Sequence, residues 1–145
     1  MPFNQFMPSE HFASTDVIDR ASDFTHFFAD AGKAESEWSL GVEVELFGFT
    51  RETLERITPA QVQTVIEGFG SQIVNRAEEN EYVTEATLES ADGSEIGRLT
   101  LEPGGQIEFS GAHRLSLQEI ERELKHFLDQ LSAIGEAHGI IFIAS

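Results

Sequence analysis

Apolar positions change period several times along this chain, and each change marks an element. Between Asp19 and Ala31, Ala21, Phe24, Phe27, Phe28 and Ala31 recur at three- and four-residue spacing and stop before Gly32. That pattern predicts an amphipathic helix. Trp38 to Phe47 alternates instead and predicts a strand, with Val42, Val44 and Leu46 on one face and Glu43 and Glu45 on the other. Thr58 as N-cap and Pro59 at the first helical position open a second helix. Its stripe is Val62, Val65, Ile66 and Phe69, and Gly68 and Gly70 end it. Gln72 to Asn75 reads as a short strand, and Glu81 to Glu89 as a longer one. The turn Ala91-Asp92-Gly93-Ser94 carries the Asp-Gly hairpin signal, and Ile96 to Glu102 returns from it.

At Pro103-Gly104-Gly105 the alternation breaks. Proline removes a ladder donor and glycine permits a bulge or kink, so the expectation is an interrupted strand whose pairing resumes at Gln106 to Ser110, although Pro-Gly-Gly alone is more often a plain turn. Gln106, Glu108 and Ser110 share a face there, while Ile107 and Phe109 take the other. Ser116 and Glu119 form a capping box for a long helix to about His138, with Leu117, Ile120, Leu124, Phe127, Leu128, Leu131 and Ile134 as its stripe. Gly139 caps it. Ile140 to Ala144 is continuously apolar and predicts a strand buried on both faces, with an edge that wants a partner.

These elements specify an α+β fold: an antiparallel-rich sheet with helices packed on one face and an acidic opposite face. Residues 1–18 read as an irregular N-terminal arm whose Phe3, Phe6 and Phe12 pack on the body. Residues 19–145 read as a single α+β domain, long enough for a real core.

Composition narrows the function classes. Of 145 residues, 26 are Asp or Glu against 9 Lys or Arg, a net charge of -17. A nucleic-acid partner needs a basic footprint, which this balance opposes. With no cysteine there is neither a disulfide framework nor a thiolate metal site. No apolar stretch is long enough to span a bilayer, and no membrane partner is expected. The first 19 residues lack a basic region followed by an apolar run, so no secretory leader is read there and the default compartment is the cytoplasm.

The paired glutamates concentrate the chemistry. Gly41-Val-Glu-Val-Glu-Leu-Phe-Gly48 and Leu101-Glu-Pro-Gly-Gly-Gln-Ile-Glu-Phe-Ser-Gly111 each set two glutamates in an apolar, strand-like context. A strand does not bury like charges without compensation. Either that face is wet or a cation sits on it. Carboxylates aligned on neighbouring strands would suit a hard divalent ion. The histidines show no metal-ligand spacing; His113, next to the second segment, is the one with a candidate site role, and Arg98 and Arg114 are the cations near the segments.

Trp38-Ser-Leu-Gly-Val-Glu-Val-Glu-Leu-Phe-Gly-Phe49 resembles the first sheet strand of the plant-type glutamate–cysteine ligases. Leu101-Glu-Pro-Gly-Gly-Gln-Ile-Glu-Phe-Ser-Gly-Ala112 resembles that family's Glu-Pro-Gly-Gly-Gln signature more closely, and the likeness extends over residues 20 to 145. The resemblance implies a glutamine synthetase-like half-barrel. It implies ATP- and magnesium- (or manganese-) dependent formation of a γ-glutamyl amide from glutamate and cysteine, through γ-glutamyl phosphate, the first step of glutathione-type thiol synthesis. It implies Glu43, Glu45, Glu102 and Glu108 as metal ligands, and Gln106, Ser110, Gly104 and Gly105 as substrate contacts. Family enzymes are far longer, so the chain is expected to be an incomplete ligase, inactive alone, that needs a complementing chain or a homo-oligomer. The alternative is an inactive fragment, split half or metal-binding interaction domain on the same scaffold.

Overall fold

The computed structural model describes residues 20–79 and 81–144. The expected arm at 1–18, with Phe3, Phe6 and Phe12, lies outside the described residues. The chain falls into two compact units, Met1–Trp38 and Ser39–Ser145. In the first, α1 (Ala21–Asp30) is followed by a single 3₁₀ turn at Glu35–Glu37, where Glu37 Oε2 accepts from the Ala34 amide at 3.2 Å.

In the second unit the order is β1 (Glu43–Thr50), α2 (Pro59–Glu67), β2 (Ile73–Glu79), β3 (Tyr82–Glu89), β4 (Glu95–Glu102), β5 (Gln106–Gly111), α3 (Leu117–His138) and β6 (Ile140–Ala144). The strands form one sheet in the order β2-β3-β4-β5-β1-β6, and every pairing is antiparallel. The fold is therefore α+β, as its patterning predicts. The first strand in sequence is inserted next to the last two, so the two glutamate segments become neighbours.

Both helices of this unit start as their sequences specify. Thr58 and Ser116 each accept from the amide three residues on, and Gln61 and Glu119 reach back, closing two capping boxes. Gly139 ends α3 with φ 67°. Where the β2–β3 register shifts, Gln63 of α2 satisfies both backbone groups of Val83, donating to its carbonyl at 3.1 Å and accepting from its amide at 2.7 Å.

The core lies between the helices and one sheet face. Leu46, Ala86, Leu88, Leu99, Ile107 and Phe109 line the sheet side; Val62, Val65, Ile66, Phe69, Phe127 and Leu131 line the helix side. Phe127 is its centre. Its ring stacks on Phe109 at 4.0 Å and on Phe69 at 5.7 Å between centroids, joining β5, α3 and the end of α2. Gly97 leaves room for this: a Cβ there would stand 2.8 Å from the Phe109 ring and 2.5 Å from the Ser110 carbonyl.

Two expectations need correction. Pro103-Gly104-Gly105 does not kink one strand; it is the loop of a β4–β5 hairpin. Glu102 pairs with Gln106, the Gly105 amide donates to the Glu102 carbonyl at 3.1 Å, and Gly104 and Gly105 hold φ of 81° and 76°. Two successive residues at positive φ reverse the chain, and glycine takes them without steric cost. Secondly, β6 is not buried on both faces. It is an edge strand, and exposure rises from 2% at Ile140 to 52% at Ile143. Ile141 and Ile143 lie on the face opposite the packed helices, beside Phe49 and Phe47 of β1. Among the described residues no helix is long and apolar enough to cross a membrane.

Glu123 of α3 has a side chain only 7% exposed, with the Arg114 guanidinium closed on Oε2. Burial pushes its carboxyl above the ordinary range, and Arg114 offsets part of that. A carboxyl raised in the folded state binds its proton more readily there than in the unfolded chain. Its ionisation therefore costs stability, and stability falls as pH rises through the window just above the ordinary value of 4.5. Glu123→Gln is expected to flatten that limb of a urea-midpoint against pH profile. For the aromatic stack, Phe127→Ala is expected to lower unfolding free energy by about 3–5 kcal/mol in urea melts.

Candidate functional site

The sheet face opposite the core carries three rows of side chains. Strand register fixes them, because residues opposite one another on antiparallel strands project to the same side. One row runs Thr87, Arg98, Ser110 and Glu43 across β3, β4, β5 and β1. The next runs Glu85, Thr100, Glu108 and Glu45. The third has Glu102 opposite Gln106 at the hairpin end. Glu43, Glu45, Glu102 and Glu108 thus share one face on three adjacent strands, as their parity predicts.

Glu45 and Glu108 are direct partners. The Gly111 amide donates to the Val42 carbonyl at 2.8 Å, which fixes the alternation and makes Glu45–Glu108 a non-hydrogen-bonded pair. Cα atoms of such pairs are about 4.5 Å apart and their side chains stand closest. Two donors are aimed at these acids. Gln106 Nε2 donates to Glu45 Oε2 at 2.8 Å, and Ser110 Oγ donates to Glu108 Oε1 at 3.1 Å. Gln106 and Ser110 therefore orient carboxylates in this structure. At the far side Arg98 pairs with Glu85 at 3.3 Å.

Among the described residues no group of three or more His, Cys, Asp or Glu side chains could hold a metal ion. The donor set is all oxygen, with one opposed carboxylate pair and further carboxylates on the flanking positions. That suits an ion bound through one or two carboxylates that keeps several waters, which is magnesium's habit, and does not suit a closed protein cage of the kind calcium takes.

The remaining candidates fall elsewhere. Arg114 turns to α3, where it meets Glu123 and donates to the Glu95 carbonyl at 2.6 Å. His113 shares a hydrogen bond with Ser39 Oγ at 2.9 Å and lies outside the three rows. Gly104 and Gly105 serve the hairpin turn.

Sequence reasoning missed two residues. Glu85 enters the acidic row through the β3–β4 register, which periodicity within one strand does not give. Arg56 lies in the β1–α2 connection, and its guanidinium sits 4.2 Å from the Phe47 ring centroid while donating to the Gly104 carbonyl. No spacing rule connects those positions.

Residues 39–145 match the model of glutamate-cysteine ligase family 2. Chloroplastic glutamate–cysteine ligase A of Oryza sativa subsp. japonica is 32% identical over 125 residues, covering 83% of this chain and 24% of the relative. The chloroplastic glutamate–cysteine ligases of Nicotiana tabacum and Brassica juncea are each 30% identical; they cover 85% and 92% of this chain and 23% and 25% of their own lengths. The chain thus spans about a quarter of the curated relatives it matches.

Those relatives are named chloroplastic, which overturns the cytoplasmic expectation. The physical reason is specific. A basic-then-apolar run is the mark of a secretory leader only, whereas plastid transit segments are amphipathic and carry no such run, so its absence says nothing about compartment.

Like charges directly opposite on a sheet are destabilising by a few tenths to 1 kcal/mol. Glu108→Gln keeps an acceptor for Ser110 and removes the repulsion. It is expected to raise unfolding free energy by about 0.5 kcal/mol in urea melts at neutral pH without added metal.

Proposed function

Since the chain belongs to glutamate-cysteine ligase family 2, we propose that it is the metal-carrying part of an ATP-dependent carboxylate–amine ligase that joins glutamate to cysteine. The observation that carries this reading is the convergence of both glutamate segments on one sheet face, with Glu45 directly opposite Glu108. On this reading the sheet is part of a glutamine synthetase-like half-barrel, with the rows as its floor.

In the reaction, the γ-phosphoryl group of ATP passes to the side-chain carboxylate of glutamate, and ADP leaves. The cysteine amine then attacks the activated carbonyl, phosphate departs and a γ-glutamyl amide remains. Glu45 and Glu108 would hold magnesium or manganese, with Glu43 and Glu102 flanking them on the same face; when bound, the ion would neutralise phosphate charge. Gln106 and Ser110 orient Glu45 and Glu108 toward that task. Carboxylates already fixed by hydrogen bonds need little rearrangement when charge moves on the transferring group.

The floor is acidic, and phosphoryl transfer also needs cations on the phosphates. Arg98 is engaged with Glu85. Turnover therefore calls for basic groups from a complementing chain, a second copy or further sequence.

Two measurements test this. Calorimetry with manganese on the chain alone should show weak binding that Glu45→Gln and Glu108→Gln each reduce by about tenfold or more. Equal affinity in all three proteins would assign binding to the general acidic surface. Phosphate release from ATP with glutamate should be near background for the chain alone and become cysteine-dependent when the rest of a relative is supplied. Robust cysteine-dependent turnover by the purified chain would show instead that its own copies complete the site.

A further inference from the structure

The β1–α2 connection is tied back onto β1 by backbone hydrogen bonds. The Leu54 amide donates to the Thr50 carbonyl at 2.9 Å, Thr50 to Glu55 at 2.8 Å and Ile57 to Gly48 at 3.1 Å. Leu54 holds φ of 58°, a conformation that costs a non-glycine residue energy, so this segment is over-determined. Its product is the placement of Arg56. The backbone of Arg56 bridges to Phe49, and its guanidinium lies 5.6 Å from the Phe49 ring centroid and 4.2 Å from that of Phe47. From there it donates to the carbonyl of Gly104, 48 residues away, in the β4–β5 hairpin loop.

By strand register Phe47 faces the same side as Glu45, and Gln106 reaches Glu45 from the first residue after the loop. Two successive glycines at positive φ form that loop, and glycine is the residue that restrains its own backbone least. Arg56 is the tie from β1 across to it.

We propose that Arg56 is a positioning residue: stacked on Phe47 and bonded to Gly104, it clamps the Pro103-Gly104-Gly105 loop so that Gln106 and Glu102 stay aligned with Glu45. The clamp stands on its own geometry; its consequence for cation binding rests on the ligase reading above. A guanidinium suits the role because its flat face covers an aromatic ring while its edge donates in a fixed direction. Stacking leaves the cation beside an acidic face, where simple electrostatics would have it repel a metal. Clamp and charge therefore make opposite predictions.

Amide hydrogen exchange by NMR, on the full chain, reads the clamp directly. Arg56→Ala should speed exchange at Gly105 and Gln106 about tenfold, while Phe109 and Phe127 keep wild-type protection. Arg56→Lys should restore part of that protection. Unchanged exchange at Gly105 and Gln106 in Arg56→Ala would overturn the proposal, and so would a uniform loss across the core. Manganese titration of the same proteins separates the two readings. Weaker binding in Arg56→Ala, despite removal of a positive charge, supports clamping for the site. Tighter binding in Arg56→Ala would overturn that role and leave Arg56 as a repelling charge. If no variant or wild type binds manganese, the metal reading fails while the exchange result still decides the clamp.

Discussion

The contact on which the rest depends is the stack of Phe109 on Phe127, closed on its other side by Phe69. A strand's side chains alternate strictly, so fixing Phe109 inward fixes Gln106, Glu108 and Ser110 outward. A slip of one residue would bury Glu108 and expose Phe109. The stack thus acts as a register lock, and the acidic face is its reverse side. Gly97 belongs to the same device, since a side chain there would collide with both the ring and the β5 backbone.

With register locked, the face holds charges that oppose one another. Glu45 faces Glu108 across a close pair, with Glu43 and Glu102 nearby. The fold tolerates this because the face is wet, because Gln106 and Ser110 donate into it, and because Arg98 and Arg56 stand at its margins. Natural domains sit only modestly above instability, so a repulsive pair kept on a rigid strand is more readily understood as a site than as a scaffold feature.

Much of this was legible in the residues. Capping boxes at Thr58 and Ser116, helix stripes and strand parity gave the α+β class and put the four glutamates on one side. The hairpin at Pro103 was only half legible: Pro-Gly-Gly alone is more often a plain turn, but between two strand-like runs it also fits a bulge, and only pairing of Glu102 with Gln106 decides. The apolar run at Ile140 looked like a central strand, but its outward residues continue the Phe47–Phe49 side of β1 at a sheet edge. Arg56 left no trace, since a stack plus one carbonyl contact 48 residues away has no period. Glu85 needed a register between strands. Within-strand chemistry was thus readable, and contacts set by topology were not.

The central claim is that the opposed pair Glu45–Glu108 is where a divalent ion binds. Paramagnetic broadening by sub-stoichiometric manganese tests it most directly, read on the assigned amide spectrum of the chain. The account predicts selective loss of signals from 43–45 and 106–110, with the exposed acids of α3, such as Glu121 and Glu136, unaffected at the same metal level. Broadening spread evenly over the acidic surface, or centred on α3, would contradict it.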